Sequence, residues 1–106
     1  MPKYLVQASY TADGLKGVLE KGGSSRRDVV ESMATEQGGS LESFYFAFGD
    51  ADVYAIIDMP DNVTTASVAM TVSASGAASA RTIVLLTPEE IDEAAQKTVH
   101  YVPPGS

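Results

Sequence analysis

One histidine, five tyrosines, two adjacent arginines and two closely spaced carboxylates are the groups in this chain with chemistry to offer. His100 is the single side chain whose unperturbed pKa lies near neutrality, so it could serve as a general acid or base. Tyr10, Tyr45 or Tyr54 could supply a hydrogen bond beside it. His100 and Tyr10 are therefore the candidate catalytic pair. A lone histidine next to Tyr101 on a C-terminal segment is more often a packing or surface residue, and no serine or cysteine partner is legible.

Arg26 and Arg27 follow Gly22-Gly23-Ser24-Ser25. Ser25 can cap a helix there, with Asp28 at the third position, and a helix start with free amides and neighbouring arginines can hold an anion. The Gly-Lys-Ser/Thr ending of a phosphate loop is missing. Arg26 lies three and four residues before Val29 and Val30 and leans towards their apolar stripe, while Arg27 is placed to pair with Glu31. The bland alternative is a capped helix with solvated arginines.

Asp50 and Asp52 sit in "GDAD", residues 49–52, between two apolar runs. Gly and Asp are ordinary turn formers, and four residues suit a hairpin loop. Asp52 is a candidate ligand-binding residue, with the turn reading favoured over a catalytic pair. Arg26, Tyr45 and Tyr54 complete the candidate ligand-binding set, around a small anionic or aromatic molecule. No metal site is expected: one histidine and no cysteine make no recognisable zinc set, and two carboxylates fall short of a hard cation's six oxygens. No cofactor is expected either.

These groups need a scaffold. Residues 3–10 alternate as a strand, "TADGLKGVLEKGG" from residue 11 reads as a short helix ended by Gly22-Gly23, and a second helix from Ser25 carries Val29, Val30, Met33 and Ala34 as one apolar stripe. Strands over 41–48 and 53–59 flank the hairpin. Asp61 or Asn62 caps a helix, rich in small and β-branched residues, that Gly76 stops; a fourth strand covers 80–86. "TPEE" at 87–90 is a capping box with proline at the first helical position. The four carboxylates at 89–93 complement that helix start, which explains them without catalysis. Strand, helix, strand, strand, helix, strand is the split βαβ order of a ferredoxin-like α+β fold: an antiparallel sheet with helices on one face. The 106 residues form one domain.

Helices on one face leave the other bare, yet neither side of these strands reads as polar. Phe44, Phe46 and Phe48 oppose Leu41 and Tyr45, and Val53, Ala55 and Ile57 oppose Tyr54 and Ile56. A second copy packed sheet on sheet would cover such a face, so a homo-oligomer is expected. The net charge of -7 disfavours a nucleic-acid partner, and no apolar run approaches a membrane span. The start "MPKYLVQASY" lacks secretory-signal organisation, so a cytoplasmic location is expected.

The stretches "YLVQASYTADGLKGVL", "FAFGDADVYAIIDMPDN" and "VLLTPEE" together resemble the GYD domain family of small bacterial proteins, grouped with the dimeric α/β-barrel proteins. The resemblance implies a ferredoxin-like protomer in a dimer or higher assembly and carries no established activity. The family's naming pattern is Gly, a variable residue, Tyr and Asp; Gly49 and Asp52 match it, and Ala51 stands at the tyrosine position. The expected function is an oligomeric small-molecule-binding module with a mostly apolar pocket. The alternatives are a cofactor-independent enzyme of the monooxygenase or isomerase kind, or a purely structural assembly unit.

Overall fold

The computed structural model describes residues 1–105. Its elements are β1 (Lys3–Tyr10), α1 (Ala12–Lys21), α2 (Gly23–Glu36), β2 (Ser40–Phe46), β3 (Val53–Asp58), α3 (Asn62–Ala74), β4 (Ala78–Leu85) and α4 (Pro88–Ala95). The four strands form one antiparallel sheet in the order β2-β3-β1-β4. This is the ferredoxin-like α+β arrangement that the order of elements predicts. No helix among the described residues is long and apolar enough to cross a membrane.

Register fixes the faces. Tyr4 sits opposite Ile57 and Val84, and Val6 opposite Ala55 and Thr82, so one side of the sheet carries these residues under α2 and α3. Leu5 sits opposite Ile56 and Ile83, and Gln7 opposite Tyr54 and Arg81, on the side that no helix covers. Alternation makes the division automatic: a one-residue slip would exchange the two sides.

The centre of the helix-side core is Tyr4, Ala34, Ile57 and Met59, with Val6, Leu41 and Val68 against it. Gly39 allows this packing. A Cβ there would lie 2.1 Å from the carbonyl oxygen of Asp58 and 2.6 Å from the Met59 sulfur, so any side chain would collide with backbone. Asp61 caps α3, its carboxylate accepting from the Thr64 amide at 2.7 Å. That bond favours the ionised form and lowers its pKa.

Four local expectations are corrected. The second helix begins at Gly23, not after a Ser25 cap: Gly22, at φ 87°, ends α1 and opens α2 without a side-chain cap, since its left-handed backbone suits glycine. The Ser25–Asp28 capping arrangement therefore does not form. Arg27 approaches Asp28, with Nε 3.7 Å from Oδ1, rather than Glu31. In β2 the register shifts between Leu41 and Ser43, so Leu41 shares the helix side with Phe44 and Phe46 instead of opposing them. The bulge inserts one extra residue, Glu42, and reverses the phase. Glu42 instead meets Lys3, whose Nζ lies 2.6 Å from its carboxylate and 3.0 Å from that of Asp58. These bonds to Glu42 and then Asp58 raise the lysine's pKa. Finally, β4 starts at Ala78, two residues earlier than the sequence suggests.

Candidate functional site

The helix-side layer is not filled along its whole length. Towards the end of the sheet that carries Tyr10 there is a cavity of about 90 Å³ between α2, α3 and the strands. Its floor is made by β1, β3 and β4, where Ala8, Ala55, Ala78 and Ala80 present only a methyl each. Val30 and Met33 of α2 line one wall, and Val68, Ala69 and Val72 of α3 the other. Four alanines under two helix backbones leave volume that longer side chains would occupy. Empty space of that size with apolar walls suits an apolar group better than water.

Arg26 also lines this cavity. It stands in the first turn of α2, on the stripe that continues to Val30 and Met33, and its guanidinium therefore approaches the apolar space. Its Nε is buried with no hydrogen-bond partner, and Arg26 makes no ion pair among the described residues. A buried donor that has lost its water and gained no acceptor is costly, and more so on a charged group. Thr65 has the opposite status: it is buried beside the cavity, but its hydroxyl donates to the Asp61 carbonyl at 2.8 Å.

Tyr10 closes the same end. Its ring stacks on Phe46 with centroids 6.5 Å apart, and Phe46 meets Phe44 edge-on at 5.4 Å. Asp52 holds this corner from outside the cavity. Its carboxylate accepts from the Tyr10 amide at 2.8 Å, its own amide donates to Ala8, and its carbonyl accepts from Ala47. The carboxylate thus fastens the hairpin to the end of β1. Ala51 beside it is buried.

The structure brings Arg26 and Tyr10 to one cavity and sends the other candidates elsewhere. Tyr45 and Tyr54 face each other across β2 and β3 on the uncovered side of the sheet. His100 is exposed on the C-terminal segment and does not line the cavity that holds Tyr10. Among the described residues no cluster of His, Asp or Glu could hold a metal ion. Sequence reasoning missed the alanines of the floor. The signal was present in "SASGAASA" at 73–80, where small residues run from the end of α3 into β4, but their effect depends on what lies above them.

Comparison with curated proteins and with solved structures yields no match. Comparison with family models yields a match to the GYD domain over residues 4–95, which takes in every strand and helix of the fold except Lys3 at the start of β1. By that match this chain belongs to the GYD domain family.

Proposed function

We propose that the protein is an oligomeric small-molecule-binding module, whose ligand places an apolar body in the cavity beneath α2 and α3 and an anionic head against Arg26. The observation that carries this reading is the buried, unpartnered Nε of Arg26 at the margin of an otherwise apolar space. A carboxylate is the natural complement, because it accepts charge-assisted, bidentate hydrogen bonds from guanidinium. A volume of about 90 Å³, smaller than the roughly 150 Å³ of a cavity that admits benzene, limits the enclosed part to a short chain or part of a ring.

The oligomeric part of the reading rests on the uncovered side of the sheet. Leu5, Ile56, Ile83 and Leu85 lie together there, with Tyr45 and Tyr54 beyond them, and a second copy is the simplest cover for an apolar face of this extent.

Titration calorimetry with benzoate and hexanoate, set against benzyl alcohol and hexanol, tests the ligand class. Saturable binding of an acid that weakens tenfold or more in Arg26→Met, with the alcohol unaffected, is the expected result. Native mass spectrometry after exposure to a metabolite extract covers larger acids. Absence of any retained carboxylate in both experiments, or equal binding by the Arg26→Met protein, would overturn the proposal.

A further inference from the structure

The cavity beneath α2 and α3 continues past its own walls. Thr65, Ala69 and Thr82 line it, and the same three residues line a groove of about 320 Å³ beside α3 and the edge strand β4. These shared side chains are short, so none of them reaches far across the way from one space to the other. Thr65 and Ala69, four residues apart, lie on one side of α3. The strand shows the same continuity. Ala78, Ala80, Thr82 and Val84 alternate along the helix side of β4, opposite Tyr10, Ala8, Val6 and Tyr4 of β1. The first three line the cavity; Thr82 and Val84 line the groove. Six strand steps at ~3.3 Å make this one strip of roughly 20 Å.

Charge is confined to one end of the strip. Arg26 is the single charged residue lining either space. A Cβ added to Gly23 would lie 2.7 Å from the Phe46 ring, and Phe46 stacks on Tyr10, so the start of α2 sits at the Tyr10 end. Arg26 follows Gly23 by three residues, whereas the groove lies at the opposite end, with Tyr4 and Val84. There the polar groups are already engaged. The Tyr4 hydroxyl donates to the Asn62 side-chain oxygen, and the Thr65 hydroxyl to the Asp61 carbonyl. Ala66, Met70 and Val84 add apolar surface, and α3 brings no charged residue to it. Met70 is left 72% exposed. Open apolar surface that continues a cavity, with an unpaired guanidinium at the far end, matches a molecule charged at one end and hydrocarbon along the rest.

Extended hydrocarbon with ~1.5 Å bonds advances about 1.3 Å per carbon, so a chain of about 10–14 carbons matches most of the strip. We infer that the ligand is a straight-chain fatty acid of medium length. Its carboxylate meets Arg26, its first methylenes fill the cavity, and its tail passes between α3 and β4 into the groove. This rests on the ligand reading proposed above and narrows it, because the enclosed volume alone admits any small acid.

Titration calorimetry with hexanoate, octanoate and decanoate, each kept below its micelle concentration, tests the chain-length requirement. Each methylene that enters the groove is expected to tighten binding about twofold to fourfold, the upper figure being that of full burial. Decanoate should therefore bind at least tenfold more tightly than hexanoate. Ala66→Trp fills the groove and Val84→Gln makes it polar, both at exposed positions. Each is expected to remove that gain and to leave hexanoate binding within about twofold. Decanoic acid carrying a diazirine at its far end locates the tail: photolysis should label α3 near Met70 or β4 near Val84. Decanoate no tighter than hexanoate, with hexanoate binding still lost in Arg26→Met, would overturn this inference and leave the cavity reading standing. An undiminished chain-length gain in both groove variants, or labelling at Leu5 or Ile83 on the other side of the sheet, would do the same. No binding of any of the three acids would remove both readings.

Discussion

The two ends of the layer between sheet and helices contrast. At one end Tyr4 and Met59, exposed by 1% and 0%, fill the space against Ala34 and Ile57. At the other, Ala8, Ala55, Ala78 and Ala80 leave a cavity, and a charged residue enters it. The same strands build both ends, so the difference comes from side-chain volume and not from backbone architecture. A core filled throughout would be the more stable solution. A hollow with an unsatisfied guanidinium nitrogen is a place where stability has been given up, and such places are where binding is expected.

The contrast can be tested by substitution at each end. Met59→Ala should cost about 2–5 kcal/mol, since it removes a fully buried side chain where neighbours cannot collapse; urea unfolding would read it as a lower midpoint. A loss under ~1 kcal/mol would show the packed end to be as loose as the hollow one. Arg26→Met should act in the opposite direction and stabilise the unliganded protein by about 1–3 kcal/mol, because a buried donor without an acceptor is replaced by an apolar chain of similar length. Destabilisation would mean that Nε has an acceptor in solution. Ala80→Val adds methyl groups towards the cavity and should leave stability within about 1 kcal/mol of the parent, whereas overpacking a full core costs ~1–3 kcal/mol. Its ligand binding should fall with the lost volume.

The smallest effect concerns pH and belongs to the packed end. Asp61, beside Met59 and Pro60, has its pKa lowered from 3.8 by the Thr64 amide. Its contribution is complete above about that value and is lost as pH falls through the lower, folded value. Asp61→Asn, which keeps a capping side chain without the titration, should flatten the acid limb of a stability-against-pH curve. Lys3 works at the alkaline limit. Its pKa is raised from 10.5 by Glu42 and Asp58, so its contribution is complete below that value and lost as pH rises through the folded one. An unchanged alkaline limb in Lys3→Met would remove that role.

Much of the fold was legible because it depends on short-range rules. The capping box at Thr87 and the stop at Gly76 follow from backbone chemistry within a few residues, and the structure contains both. Asp52 reads as a turn former from local chemistry, but its carboxylate accepts from the Tyr10 amide, 42 residues away along the chain, which no local rule marks. The bulge at Glu42 was not legible. Nothing in "SLESFYF" marks the extra residue, and only pairing with β3 and the reach of Lys3 decide it. Arg26 was placed near the apolar stripe by its spacing from Val29 and Val30, but the expected Ser25 cap was displaced when Gly22 took a left-handed backbone.

By itself the sequence determined the order of strands and helices, the two-sided apolar strands and the absence of thiol chemistry, since periodicity, caps and composition are local or additive. The tertiary structure alone decided that Arg26 and Tyr10 share a cavity while His100, Tyr45 and Tyr54 lie elsewhere. A cavity is the space left between elements distant along the chain. Its volume and the fate of each donor within it depend on how those elements pack.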